Sequence, residues 1–330
     1  MVTDLEFKIT VIDTGFMGSG IAACYLIEGD GEFAIIETGN FETTHRILKL
    51  LEARKIAKQN IRYIIPTHVH LDHAGGASSL MEALPQAKLV IHPKGARHMI
   101  DPTKLIKGAT VVYGEAFFKK MYGDIKPIEE SRVILGEDGK VLTLGNRQLL
   151  FRDTPGHANH HFCIWDETSR GWFSGDTFGV GYPALDSDPL DREVPGCDEN
   201  ANKQRFVFPT SSPVQFTPQK LLESIEMMMS YEPRFMYLTH FGRIEVNRDL
   251  SDKLAEQIKY YAQLVESQPE GEKSAEDLEP LLTNYTLKRL SEHGCSLNRE
   301  AIDKVIAMDI KLNSQGLAIW FARQQKASLS

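Results

Sequence analysis

The sequence lacks the features that mark secreted, membrane-bound and nucleic-acid-binding proteins. Its N-terminus, MVTDLEFKIT, has no basic run followed by an apolar stretch, so we expect no signal peptide. No apolar run approaches the roughly 20 residues that a membrane helix needs. The formal net charge of -8 disfavours contact with phosphate backbones. We therefore expect a cytoplasmic protein with a small-molecule substrate, and neither nucleic acid nor a membrane as partner. The oligomeric state stays open, a homodimer included.

Cysteine is scarce in the chain and shows no pattern. The four cysteines, Cys24, Cys163, Cys197 and Cys295, are scattered and include no CxxC pair. This distribution favours buried free thiols in a reducing compartment over disulfide bonds or a cysteine metal site.

What the sequence does contain is an ordinary globular composition in which two kinds of secondary structure are segregated. The apolar fraction is 42% in 330 residues, which allows a sizeable core. Short β-branched runs such as FAIIETG and IRYIIPTH predict strands, with helices such as TTHRILKLLEARKI between them. After residue 240 the periodicity is helical throughout. We predict an α+β protein with a catalytic domain at 1–245, an irregular loop at 181–196 and a helical C-terminal extension at 246–330.

Histidine carries the main functional signal, in the segment PTHVHLDHAGG at 66–76. This segment supplies His68, His70, Asp72 and His73, and its HxHxDH pattern arises by chance in roughly one such chain in a thousand or fewer. In an extended segment residues i and i+2 point to the same side, so His68 and His70 can bind one ion. A turn into a helix can direct the other two side chains at a second site. Imidazole and carboxylate suit zinc, iron or manganese.

Three further candidates stand at the ends of later predicted strands. They are His157 in TPGH, Asp176 in FSGD and His240 in YLTH. Each follows an apolar run, so each is expected at one rim of the sheets, where functional sites are commonly built. Their recurrence disfavours the alternative that the histidines near residue 70 are ordinary core or surface residues.

These four motifs, in this order, resemble those of the metallo-β-lactamase superfamily over about residues 10–245, and most closely its glyoxalase-II-like and lactonase-like branch. The resemblance implies an αβ/βα four-layer sandwich. It also implies a dinuclear site in which His68, His70 and His157 bind the first metal, Asp72, His73 and His240 bind the second, and Asp176 bridges them. Two zinc ions are expected, with iron or manganese as alternatives. Where the superfamily usually has an aspartate, FAIIETG places Glu37, for which a supporting role beside the ligands is implied.

The resemblance further implies hydrolysis of a small ester, thioester or lactone, with a metal-bridging hydroxide as nucleophile. Asp72 is the candidate for passing a proton to the leaving group. One alternative is a mononuclear iron dioxygenase of the persulfide dioxygenase type, and the complete set of seven ligands favours two metals instead. Flavodiiron oxygen reductases typically have Glu where His70 stands. Another alternative is a regulator that binds a ligand on the same fold without catalysis.

Several other side chains are candidates for supporting or substrate-binding roles. His160 and His161 follow His157, and we expect one ring to face the pocket and the other the sandwich. Tyr182 could donate a hydrogen bond to an oxyanion. Asp309 and Asn313, four residues apart, share one helical face, either as an exposed polar stripe or as a polar patch at the mouth of the site. The aromatic residues of 101–130 are interpreted as core, with a flap over the metals as the alternative.

Overall fold

The computed structural model describes residues 1–187, 205–211, 215–267 and 274–328. Most of the predicted loop at 181–196 lies outside these ranges, as does Cys197.

The first sheet has seven strands in sequence order, and it is mixed. Its strands are β1 (Val2–Leu5), β2 (Ile9–Asp13), β3 (Ala23–Gly29), β4 (Glu32–Ile36), β5 (Ile61–Ile65), β6 (Lys88–Ile91) and β7 (Val133–Leu135). Strands β1 to β4 pair antiparallel, whereas β4 to β7 pair parallel. Helices connect the parallel strands, because a parallel pair needs a crossover.

The second sheet has six strands in the order β13-β12-β11-β10-β9-β8. Its strands are β8 (Val141–Leu144), β9 (Arg147–Asp153), β10 (Phe162–Asp166), β11 (Gly171–Gly175), β12 (Phe235–Leu238) and β13 (Gly242–Glu245). Strands β8 to β11 form antiparallel hairpins, and β12 joins β11 in parallel. The strand at YLTH therefore lies beside the strand at FSGD, as expected for motifs at one sheet edge.

Alternation along the strands divides the apolar residues between two cores. On β3, Tyr25 and Ile27 belong to the core packed between the two sheets, together with Phe162 and Phe173 of the second sheet. The intervening Leu26 faces the opposite way, into a core formed with the helices that cover the first sheet. Successive side chains of a strand point to opposite faces, so a strand buried on both sides is apolar throughout.

Ten helices lie within the described residues, and several begin with recognisable caps. They are α1 (Phe41–Ala53), α2 (Leu71–Ala74), α3 (Ala77–Ala83), α4 (Pro93–Ile100), α5 (Thr103–Tyr113), α6 (Glu115–Tyr122), α7 (Pro218–Met229), α8 (Arg248–Glu266), α9 (Ala275–His293) and α10 (Arg299–Ser328). Asn40 and Thr43 form a reciprocal capping box on α1. Asn247 and Ser274 cap α8 and α9, and Gly294 ends α9 with a φ of 87°. The predicted C-terminal helices are thus observed.

Most of the aromatic segment 101–130 forms helices α5 and α6, which the sequence interpretation did not specify. Phe118 and Tyr122 are buried in a small cluster with Phe16 and Leu71, so the core interpretation is confirmed for these two rings. Leu71 immediately precedes Asp72. Across the described ranges, no helix combines the length and apolar character that spanning a bilayer requires.

The chain divides into two compact units, each made of segments that are separate in the sequence. The first contains residues 1–153, 160–175 and 234–243, and the second contains residues 154–159, 176–233 and 244–330. The second unit therefore joins the C-terminal helices α8 to α10 with segments that come earlier in the chain. The boundary at 245/246 stays a prediction.

The described cysteines are free thiols, as expected, but they differ in depth. Cys24 and Cys163 are buried, whereas Cys295 is half-buried. Burial raises the pKa of the Cys24 thiol, an effect strengthened by the nearby carboxylates of Glu37 and Asp13. Cys24 is therefore an inert thiol at neutral pH.

A buried ion pair anchors the second sheet within the first unit. Arg147 Nε lies 3.0 Å from Asp166 Oδ1, and both side chains are almost fully buried. The Arg147 guanidinium also donates to the carbonyl oxygens of Glu28 and Phe7. Burial raises the pKa of Asp166, against the opposing effect of Arg147. Loss of the cation would thus leave Asp166 buried without its counter-ion, and would remove the guanidinium donor from two carbonyl oxygens.

We expect Arg147→Leu to lower the free energy of unfolding by about 3–5 kcal/mol, because it leaves Asp166 buried without its counter-ion. Chemical denaturation followed by circular dichroism measures this change. The matched control is Arg62→Leu, whose exposed pair with Glu32 spans 3.5 Å and should contribute no more than about 1 kcal/mol. Equal effects of the two substitutions would contradict the prediction.

Candidate metal centre

The residues of the HxHxDH motif leave strand β5 and enter the one-turn helix α2. His70 stands at the N-cap of α2 in an extended conformation, and Asp72 and His73 lie within the helix. Behind this turn, Gly76 packs so closely that a Cβ atom there would lie 2.5 Å from the Thr38 carbonyl oxygen. The tight fit explains a glycine at this point and holds the turn against the chain that follows β4.

Asp72, His73 and His240 form one group of metal-ligand type in the first compact unit. One donor atom from each lies within 4.8 Å of the others. Asp72 Oδ2 is 3.5 Å from His73 Nε2 and 3.3 Å from His240 Nε2. Burial acts to raise the pKa of Asp72, but the two imidazoles outweigh it and hold that pKa well below its usual range. The carboxylate is therefore ionised at neutral pH, as a metal ligand must be.

Nδ1 of His73 and Nδ1 of His240 each lie within hydrogen-bond distance of an oxygen acceptor. His73 Nδ1 lies 3.0 Å from Glu37 Oε1, and His240 Nδ1 lies 2.9 Å from the carbonyl oxygen of Ile21. A neutral imidazole has one N–H, and an acceptor at Nδ1 places the proton there. Both Nε2 atoms then face Asp72, and each can offer its lone pair to a cation bound among the three donors, the arrangement seen when histidines bind a metal. The donor set therefore fits a divalent cation.

Glu37 connects the strands that carry this group. Its carboxylate accepts hydrogen bonds from the Thr67 backbone N–H and hydroxyl at 3.1 and 2.6 Å, and from the Thr239 hydroxyl at 3.0 Å. It is almost fully buried and adopts a φ of 62°, which non-glycine residues rarely do. The supporting position implied for Glu37 by the superfamily resemblance is thus occupied, despite the extra methylene.

His68 and His70 lie together in the same unit. His68 Nε2 is 2.8 Å from His70 Nδ1, and their ring centroids are 4.3 Å apart. His68 Nδ1 lies 3.2 Å from the Thr67 hydroxyl. The two rings thus bring one nitrogen each to a common point, as the i, i+2 spacing predicts.

The second compact unit holds a matching pair, His157 and Asp176. His157 Nδ1 lies 3.2 Å from the Thr210 carbonyl oxygen, and its Nε2 lies 3.2 Å from Asp176 Oδ2. Each is at most 5% exposed in its side chain. As at His73, an acceptor at Nδ1 holds the ring proton there, and Nε2 faces a carboxylate oxygen.

The rings of His160 and His161 both lie beside His68, at centroid distances of 6.1 and 4.8 Å. We expected one ring to face the pocket and the other to face the sandwich. The structure shows only a difference in burial, since His161 is fully buried and His160 is 8% exposed. Residues 159 and 160 form a turn rather than a strand, so the alternation of an extended chain does not govern the two rings.

The remaining candidates are engaged in the second unit. The Tyr182 hydroxyl lies 3.3 Å from both carboxylate oxygens of Asp309, which directs its single proton to Asp309 rather than toward an oxyanion. Asn313 is fully buried and bonds to residues 209 and 211, so the interpretation as an exposed stripe is wrong for this residue. The i, i+4 spacing identified the shared face and could not identify what covers it.

Sequence reasoning missed the groups that orient the rings. Thr67 and Thr239 each directly precede a histidine, in PTH and LTH, and this repeated Thr-His pair was a usable signal. The carbonyls of Ile21 and Thr210 had none, because a backbone acceptor is present at every residue.

The sequence model of the metallo-beta-lactamase superfamily matches residues 17–240, and the chain belongs to this superfamily. Its fold is accordingly the metallo-β-lactamase fold, with two mixed sheets, helices and C-terminal helices, in the α+β class. The crystal structure of the archaeal superfamily protein ST1585 is similar with a TM-score of 0.61 and 20% identity, covering 94% of this chain and 97% of that one.

Three curated proteins are similar to parts of this chain. ST1585 from Sulfurisphaera tokodaii is 24% identical over 186 residues, which cover 55% of this chain and 61% of that protein. The human acyl-coenzyme A thioesterase MBLAC2 is 26% identical over 174 residues, 50% of this chain and 61% of its own. The type A flavoprotein fprA of Rhodobacter capsulatus is 29% identical over 160 residues, which cover 48% of this chain and 32% of that protein. The alignments thus span about three fifths of the first two relatives.

We expect Glu37→Gln to weaken metal binding by about 10–100-fold, since the neutral amide orients His73 less firmly than the carboxylate does. Competition with a chromophoric chelator measures the affinity. The matched control is Glu42→Gln, on the exposed face of α1, which should leave binding unchanged. Unaltered affinity in the Glu37 variant would show that the carboxylate does not support the ligand.

Proposed function

We propose that this protein is a dinuclear metal-dependent hydrolase that acts on a small ester, thioester or lactone. One observation carries the proposal: His73, His240 and His157 each have an acceptor at Nδ1 and a carboxylate oxygen within 3.5 Å of Nε2. Structural histidines need no such repetition, whereas metal ligands are typically oriented in this way.

The ligands proposed for the first ion are His68, His70 and His157, and those for the second ion are Asp72, His73 and His240, with Asp176 shared. Chain connectivity supports this assignment. Asp176 directly follows Gly175, where a Cβ atom would lie 2.4 Å from His161 Nε2 and 2.5 Å from Thr67 Oγ1. His157 precedes His160, whose ring centroid is 5.6 Å from that of His70, by three residues.

When bound, the ions would polarise the substrate carbonyl and make water nucleophilic at neutral pH. The protein's own groups hold and move protons around them. In the proposed mechanism the Asp72 carboxylate, which is ionised at neutral pH, accepts a proton and passes it to the leaving group. Glu37, behind His73, keeps the ring in one tautomer during this transfer. Asp176 lies beside Nε2 of His157, as Asp72 lies beside Nε2 of His73 and His240.

A thioester is the first substrate class to test, because the MBLAC2 relative is named an acyl-coenzyme A thioesterase. The proposal keeps esters and lactones, since that relative is only 26% identical over half of this chain. Zinc is the proposed metal, and iron and manganese accept the same imidazole and carboxylate donors.

A second candidate is redox chemistry, since the relative fprA is named a flavoprotein. A mononuclear iron dioxygenase would need fewer ligands than the seven named here. A regulator that binds a ligand without turnover is the third candidate. The three differ in metal identity, metal stoichiometry and turnover.

We expect the purified protein to contain about two zinc or manganese ions per chain and to hydrolyse one class in a panel of thioesters, esters and lactones. His73→Ala should lose metal and activity together, because it removes both a ligand and the partner of Glu37. The matched control is His45→Ala, on the exposed face of α1, which should change neither. Elemental analysis and steady-state kinetics provide the two measurements.

A single iron per chain without hydrolysis would overturn the proposal in favour of the oxygenase. Two ions without turnover of any substrate in the panel would favour the regulator. Within the mechanism, an Asp72→Asn protein with full metal content and full turnover would exclude the proton-transfer role of Asp72.

A further inference from the structure

One buried side-chain amide of the C-terminal helix α10, that of Asn313, forms hydrogen bonds with the backbone at residues 209 and 211. Asn313 Nδ2 donates to the Pro209 carbonyl oxygen at 2.9 Å, and Asn313 Oδ1 accepts from the Ser211 backbone N–H at 2.6 Å. The Ser211 hydroxyl adds a third bond at 3.1 Å. Asn313 is fully buried, so these bonds form away from competing water.

The residue between these two contacts is Thr210, whose carbonyl oxygen lies 3.2 Å from His157 Nδ1. The segment is also fixed on its N-terminal side. Gln257 Nε2 donates to the Val207 carbonyl at 2.8 Å, and Phe208 pairs with Val180 in an antiparallel bridge. The Thr210 carbonyl therefore stands in a backbone that is held on both sides.

We propose that Asn313 is a positioning residue for the His157 ligand, acting through the Thr210 carbonyl. The inference rests on the proposed metal-binding role of His157. Asn313 holds residues 209 and 211 by hydrogen bonds, and these bonds fix the direction of the Thr210 carbonyl between them. That carbonyl in turn holds the proton on Nδ1 of His157. The C-terminal helix thereby determines which nitrogen His157 offers to a cation.

An asparagine suits this role because it combines one donor and one acceptor in a planar group. Aspartate keeps the acceptor for Ser211 and loses the donor for Pro209, placing a charge against a carbonyl oxygen. Alanine loses both contacts and leaves the two backbone groups buried and unpaired. The three residues thus form a graded series at one position.

The test compares wild type, Asn313→Asp and Asn313→Ala, with Ser314→Ala as the matched control. Ser314 is equally buried and adjacent, but its hydroxyl bonds to the Ile310 carbonyl of its own helix. The first readout is the tautomer of His157 in the metal-free protein, from long-range proton–nitrogen NMR. The second is zinc affinity, from chelator competition.

We expect the metal-free wild type and Ser314→Ala to keep a proton on Nδ1 of His157, whether or not Asp176 also holds one on Nε2. In Asn313→Ala the proton on Nδ1 should be partly lost, and one of two zinc equivalents should bind about 10–100-fold more weakly. Asn313→Asp should lie between them, which provides the evidence if the alanine variant does not fold.

An unchanged tautomer and unchanged zinc affinity in a folded Asn313 variant would overturn the inference, as would equal losses in Ser314→Ala. The failure of the proposed function looks different. In that case wild type itself binds no zinc, while the tautomer measurement on metal-free protein still reports whether Asn313 orients His157.

Discussion

A neutral imidazole offers one particular nitrogen to a cation only if the proton on its other nitrogen is held in place. The orientation of three of the candidate histidines depends on this constraint. His73 and His240 meet it through a carboxylate and a backbone carbonyl respectively. His157 meets it through a second carbonyl. For the proposed metal ligands, the acceptors at Nδ1 therefore matter as much as the rings themselves, because they determine which nitrogen faces a cation.

These acceptors come from sequence positions far from the rings they orient. The Ile21 carbonyl is 219 residues from His240, and the Thr210 carbonyl is 53 residues from His157. Glu37, directly after β4, joins Thr67, which follows β5, to Thr239, which follows β12. The packed sheets therefore do more than display loops, because they bring Glu37 and the Ile21 carbonyl within hydrogen-bond range of His73 and His240.

Much of the fold and of the histidine groups could be predicted because side-chain patterns encode them. Short apolar, β-branched runs predicted the strands, and the strand-end motifs brought forward His68, His157 and His240 as candidates. Backbone acceptors have no such pattern, so Ile21 and Thr210 could not be found. Asn313 shows the limit most clearly. Its helical face followed from spacing, but burial depends on which segment packs against that face, and only tertiary structure supplies this information.

The polar groups of α10 bear on how the C-terminal helices relate to the rest of the chain. A detachable extension would bury apolar residues against its neighbours and leave backbone groups of other segments untouched. Here Asn313 satisfies the backbone at 209 and 211, and Asp309 accepts from Tyr182. Without α10 these groups would be buried unpaired or exposed to water, at a cost of about 1–3 kcal/mol for each unpaired group. Within the second compact unit, then, the helices form part of the scaffold that supports the His157 loop.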